Sequence, residues 1–280
     1  MTERTPDREH LTDLLAQQWE AIAALVADLD ENAWRRPSPL PGWTIFDVVA
    51  HVIGTESWLL GRTPPPHDPL RPKTDVRTLP HVRNEVAVLN EIWVDRLRPL
   101  SGKRLLALFD EVTEQRRAAL VAKDDEAWAE PTVSPVGQVP YGRFMRVRLF
   151  DCWMHELDLA DGIGRTVPEG GDRAETAFAE LTLGLGRAVV KGAKAPEGAQ
   201  VTLDLTGPVT RQVHVAVVDG RGVLLDTIEG TPTTTIRLDS GLFARLRGGR
   251  ITVDEHLGEI AIDGDTDLGA RLVRNLAFTI

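Results

Sequence analysis

The chain has 280 residues, 42% hydrophobic and 26% charged, with a formal net charge of −10. Length favours two domains over one small core. The acidic balance, with no basic stripe to displace counterions, argues against a nucleic-acid binder and against docking on an anionic membrane. The N-terminal stretch MTERTPDREHLTDLL has no apolar region of the signal-peptide kind, and no segment approaches the ~18 apolar residues of a membrane span, so the cytoplasm is the expected compartment. Cys152 is the only cysteine, which excludes an internal disulfide and a cysteine-rich zinc site.

In chain order, Leu11, Leu14, Leu15, Trp19, Ile22, Leu25, Val26 and Leu29 recur at helical spacing and predict a helix over 7–30. The prolines of RRPSPLPG (35–42) make a loop. Thr44 and Asp47 form a capping pair for a second helix, 44–60. The run TPPPHDPLRP (63–72) reads as an extended connector. Helices follow over 80–98 and 103–122, then a loop holding Pro131, Pro135, Gly137 and Pro140, then a helix over 142–160. The glycine-rich segment DGIGRTVPEGG (161–171) is the expected hinge and divides a helical domain, 1–165, from a second domain, 166–280. The second domain begins with a helix over 172–190. Alternating runs then predict strands at 200–207, 212–220 and 234–238, with helices at 239–247 and 267–277, an α+β pattern.

Residues 150–158, FDCWMHELD, pose the chemical question. At about 100° per residue, Asp151, His155, Arg148, Val147, Phe144 and Asp158 share one side, with Arg146, Trp153 and Glu156 opposite. A carboxylate and an imidazole one turn apart, on the side that should face a bundle interior, need compensation. Mutual pairing, with Arg148 neutralising Asp151, is one answer. A divalent metal is another: Asp151 and His155 supply two ligands, and a histidine from another helix a third. His51, bordering the apolar arc of the second helix, is the best placed. His10, His67, His81, His214 and His256 fit less well. Cys152 lies about 100° from Asp151 and is expected in the core. Trp43 and Trp58 flank the His51 helix and are placed to line a cleft there or to pack in the core, with core packing the first assignment for each.

The stretch PGWTIFDVVAHVIGTE (41–56) resembles the signature of DinB-like four-helix-bundle metalloproteins, and more closely that of the mycothiol-dependent maleylpyruvate isomerase family. The segment RLFDCWMHELDL (148–159) is similar to that family's D-x-W-x-H-E-x-D segment. The ending GEIAIDGDTDLGARLVRNL (258–276) resembles sterol-carrier-like domains. The resemblance covers nearly the whole chain. It implies an up-down four-helix bundle followed by a small sterol-carrier-like α+β domain. It also implies a divalent metal, expected to be Zn²⁺, held by His51, Asp151 and His155, and mycothiol as the thiol cosubstrate.

The family pattern has Glu where this chain has Asp151, one methylene shorter. A metal-held thiolate suits cis–trans isomerisation or S-transfer to a small electrophile. Neither composition nor motif assigns a catalytic side chain. Arg148, Asp158 and Glu56 are the candidates for substrate contact or ligand support, with a solvated helix face the alternative for Glu56. A non-catalytic metal- or ligand-binding protein on the same fold is the alternative function. A bundle held without metal by Asp151, His155 and Arg148 is a third reading.

Overall fold

The computed structural model describes residues 7–278. The first part of the polar N-terminal stretch lies outside the described residues. Among the described residues no helix is long and apolar enough to cross a membrane. The chain separates into two compact units, divided between Val167 and Pro168.

The first unit is helical. Its elements are α1 (Arg8–Val26), α2 (Glu31–Trp34), α3 (Ile45–Leu59), α4 (Glu85–Leu97), α5 (Gly102–Val121), α6 (Asp125–Ala129), strands β1 (Pro131–Ser134) and β2 (Gly137–Pro140), and α7 (Tyr141–Ile163). The four long helices close a ring: α1 packs on α5 and α7, and α3 packs on α5 and α7. Leu11, Leu15, Ile22, Phe46, Val49, Phe109, Val112, Phe144 and Leu149 meet in its core. α4 lies against α3, and Gly54 permits the approach: a Cβ there would stand 2.6 Å from the Trp93 Cβ.

The start of α3 is a capping box. The Thr44 side chain accepts from the Asp47 backbone, and Asp47 accepts in return from the Thr44 N–H at 3.0 Å. α7 ends at Gly164, whose φ of 72° is the left-handed cap that glycine adopts without a Cβ penalty.

Several sequence expectations are corrected here. The helix expected over 7–30 stops at Val26, and Asp30 caps the short α2. The helix expected over 80–98 begins at Glu85, because the Asn84 side chain caps the Ala87 N–H. The loop expected around Pro131–Pro140 is the hairpin β1–β2, with Thr132 opposite Val139. Pro131 and Pro140 stand at the outer strand ends and Pro135 in the turn, where no ladder donor is needed.

The second unit holds α8 (Asp172–Thr182), a single turn α9 (Leu185–Arg187), α10 (Ser240–Arg247) and α11 (Thr266–Val273). Its strands are β3 (Gln200–Thr206), β4 (Arg211–Val218), β5 (Arg221–Leu225), β6 (Thr234–Asp239) and β7 (Ala261–Gly264). They form one sheet in the order β5-β4-β3-β6-β7, parallel between β3 and β6 and otherwise antiparallel. This is the α+β class that the alternation predicts. The single helix expected over 172–190 is interrupted at Gly184, with φ 76°, and continues as a π turn over Ala188–Gly192. Leu203, Leu205, Ile236, Leu238 and the stacked rings of Phe178 and Phe243 fill this unit's interior.

Candidate metal centre

α3 brings His51, and α7 brings Asp151 and His155, to one point in the helical unit. One ligand atom from each lies within 4.8 Å of the others. His51 Nε2 is 3.4 Å and His155 Nε2 3.6 Å from the same atom, Asp151 Oδ2. Both spacings exceed the ~2.7–3.2 Å of an N–H···O hydrogen bond. They sit near the ~3.3 Å edge between donors of a tetrahedral ion bound at about 2.0–2.1 Å. The two imidazoles are buried, whereas the Asp151 side chain is 32% exposed.

The tautomer of His155 is set from behind. Its Nδ1 lies 2.9 Å from Asp158 Oδ2, a buried contact. A carboxylate only accepts, so Nδ1 carries a proton, and Nε2 is the ring nitrogen that faces Asp151. This carboxylate–histidine support is common behind metal-bound imidazoles. His51 differs. Its Nδ1 finds no hydrogen-bond partner among the described residues, and its ring lies against the Trp43 indole, centroids 5.2 Å apart. Burial pulls the His51 pKa down, with the neighbouring Asp151 opposing, a shift toward the neutral form that a metal-ligating imidazole needs.

Asp151 also meets a guanidinium. Arg148 Nη1 donates to Asp151 Oδ2 at 2.7 Å. Burial alone would raise the Asp151 carboxyl pKa, but the Arg148 guanidinium beside it holds it well below the usual range. Arg148 is shared with Glu56: its Nε donates to Oε1 at 3.0 Å, while Arg116 Nε donates to Oε2 at 2.8 Å. Arg116 reaches on to the Tyr141 hydroxyl at 3.2 Å. Glu56 is 0% exposed. The solvated helix face is therefore excluded. Glu56 is the buried anion between two cations, and it bears on Asp151 through Arg148 instead of on a histidine.

The wheel also needs correction, since Arg146, Trp153 and Glu156, opposite Asp151, are buried too. Glu156 accepts from Gln18 Nε2 on α1 at 2.7 Å. Cys152 lies in the core as expected, and burial pushes its thiol pKa far above the ordinary value despite Arg148.

A cavity of about 240 Å³ adjoins His51 between α3, α4, the β1–β2 hairpin and Phe144. Trp58, assigned first to the core with cleft-lining as its alternative, lines this cavity at 39% exposure, its ring edge-on to Phe144 at 6.4 Å. Sequence reasoning missed the support of Trp43. Its Nε1 donates to the buried Glu91 Oε2 at 2.8 Å, and Glu91 also meets His81 Nε2 at 3.0 Å and Arg98 at 2.8 Å. The one available signal was Glu91 inside the apolar spacing of α4.

A helical bundle with two imidazoles and a carboxylate converging beside a cavity defines a class, the four-helix bundles with an internal site of metal-ligand character. The family model described as the mycothiol maleylpyruvate isomerase N-terminal domain matches residues 15–160, more than half of the chain, and the protein belongs to that family. Two proteins of Mycobacterium tuberculosis, from strains CDC 1551 and H37Rv and both uncharacterized by name, are 27% identical over 161 residues. That match covers 55% of this chain and 56% of theirs, so the chain spans little more than half the length of the curated relatives it matches. The crystal structure of a mycothiol-dependent maleylpyruvate isomerase superposes with a TM-score of 0.58 at 18% identity, over 92% of this chain and 93% of that one. A histidine-to-alanine mutant of that isomerase gives the same TM-score at 17% identity, with the same coverage. At such identities these two structures speak for the fold.

Proposed function

We propose that this protein is a divalent-metal-dependent enzyme that uses mycothiol as its thiol cosubstrate. In this reading it isomerises, or transfers sulfur to, a small electrophile. The observation that carries the reading is the convergence of His51 Nε2 and His155 Nε2 on Asp151 Oδ2 at 3.4 and 3.6 Å, in a member of the mycothiol isomerase family. His51, Asp151 and His155 would hold the ion, with Zn²⁺ the best match to two imidazoles and one carboxylate. A metal there supplies one thing, a lowered thiol pKa that keeps the cosubstrate as thiolate at neutral pH.

The chain's own residues do the rest. Asp158 fixes the His155 tautomer, and the Trp43 ring packs on His51. Arg148, anchored on Glu56, aims the Asp151 carboxylate and keeps it ionised. Cys152 is buried with a raised pKa and offers no nucleophile, so the reacting sulfur comes from outside. The thiolate sulfur adds to the β-carbon of a conjugated carbonyl, and the alkene electron pair moves onto the carbonyl oxygen. Rotation about the new single bond and expulsion of the same sulfur return the isomerised alkene. Where a proton from water reaches the α-carbon instead, the outcome is S-transfer.

The Arg148–Asp151 hydrogen bond of 2.7 Å favours a second reading, a metal-free ionic network in a non-catalytic binding protein. Elemental analysis after Zn²⁺ loading and desalting separates the two, run beside His51→Ala and His155→Ala. The enzyme reading expects about one metal per chain in the parent, lost from both variants. It also expects Zn²⁺-dependent consumption of an electrophile with mycothiol. Metal retained unchanged in both variants would sink the ligand assignment.

A further inference from the structure

The cavity beside His51 has a chemistry of its own. Its walls are Trp58, Val86, Leu89, Trp93, Pro135 and Phe144. No Lys or Arg is among its lining residues. Its one acidic residue, Glu85, is already engaged: both its carboxylate oxygens accept from Arg77, at 2.6 and 2.9 Å. The two guanidiniums nearest the centre in the hydrogen-bond network, Arg116 and Arg148, are buried and committed to Glu56 and Asp151.

A carboxylate entering this cavity would lose water and gain no cation among the lining residues, which is unfavourable. An aromatic or branched apolar group would gain two indoles and a phenyl ring as walls. The volume, about 240 Å³, exceeds the ~150 Å³ of an engineered apolar cavity that takes up benzene. His51 belongs both to this lining and to the converging ligand set, so an apolar body seated here places its reactive carbon beside the site of the thiol.

Resting on the metal–thiol reading above, we infer that the electrophile is an uncharged molecule with an aryl or branched apolar body, such as an aryl-substituted enone, held in the Trp58–Trp93 cavity. It is not a dicarboxylate. The thiolate sulfur forms a bond to the enone β-carbon, and the alkene pair is carried to the carbonyl oxygen. The α-carbon then takes a proton from water, or the same C–S bond breaks to return the alkene.

The test separates binding from turnover. Zn²⁺-loaded full-length protein is titrated by calorimetry with 4-phenyl-2-butanone, a saturated and unreactive aryl ketone, and with adipate, a flexible dianion. The ketone is expected to bind at least ten-fold more tightly than adipate. Val86→Arg, at a half-exposed position on the cavity wall, is expected to weaken the ketone and narrow that ratio at least five-fold. Equal or tighter adipate binding, no ketone binding, or a ratio indifferent to Val86→Arg overturns the inference.

In a parallel arm, loss of 4-phenyl-3-buten-2-one is followed with mycothiol, with and without Zn²⁺. Ketone-selective binding with no thiol-dependent loss overturns the thiol-enzyme reading and leaves the cavity's selectivity standing. Thiol-dependent turnover that prefers a dicarboxylate enone overturns the cavity assignment and leaves the enzyme reading standing.

Discussion

Glu56 illustrates how one residue can organise a site it does not touch. Its two oxygens are divided between Arg148 and Arg116, and Arg148 passes the constraint to Asp151. Removing a partner from a buried ionic group leaves an uncompensated charge, at a cost of about 3–5 kcal/mol. Glu56→Ala strands two guanidiniums and is expected to lose at least that much stability in urea unfolding. Glu56→Gln, which keeps an acceptor, should lose less. Equal stability of all three proteins would show that Glu56 does not organise the network. Asp158 tests the ligand assignment from the opposite side. Asp158→Asn weakens the hold on the His155 tautomer, and Zn²⁺ affinity against a competing chelator should fall about 10–100-fold. Unchanged affinity would separate Asp158 from the metal. His51, Asp151, His155 and the support by Asp158 were legible as residues in the sequence. The division of Glu56 between two arginines was not, because Arg116 lies 60 positions away on α5.

At the scale of elements, the site depends on how closely α3 and α4 approach. Gly54 faces Trp93, and an added methyl would overlap the Trp93 Cβ, which stands 2.6 Å from the ideal Cβ position. Neither backbone can yield without opening the cavity that both helices line. Gly54→Ala is expected to cost about 1–3 kcal/mol through overpacking, despite the higher helix propensity of alanine. Thermal unfolding measures this, and a stabilised variant would show that the helices separate freely. The periodicity placed α1, α3, α5 and α7 within a few residues because their apolar faces recur at helical spacing. The hairpin β1–β2 escaped because its four-residue strands are dense in proline and glycine. The edge strands β5 and β7 escaped because half-exposed strands of four or five residues alternate too briefly to register.

At the scale of the molecule, each unit carries its own polar core group. In the second unit Arg247 is buried, with Nε donating to the Leu181 carbonyl at 3.0 Å and Nη2 to the Leu183 carbonyl at 2.9 Å. Its Nη1 donates to the Leu276 carbonyl. Burial brings its pKa down to about 10, still charged at neutral pH. Arg247→Leu leaves three carbonyls without their donor, each worth about 1–3 kcal/mol when buried and unsatisfied. The variant is expected to lower the unfolding temperature while any Zn²⁺ affinity at the proposed His51 site stays unchanged, since every proposed ligand lies before Val167. A parallel loss of metal affinity would reveal coupling between the units.

The sequence by itself determined the helical-then-α+β order, the family, and the three residues that converge. Helical spacing and the i, i+4 placement of Asp151 and His155 are local properties that need no partner segment. Tertiary structure alone decided what those residues face. It set the 3.4 and 3.6 Å approach of two imidazoles to one oxygen, although the acidic residue is Asp and not Glu. It buried Glu56 between two arginines, and it gathered Trp58, Trp93 and Phe144 from three elements into one apolar wall. Those outcomes depend on the distance and rotation between helices. Packing across the whole core fixes both, and no single segment encodes them.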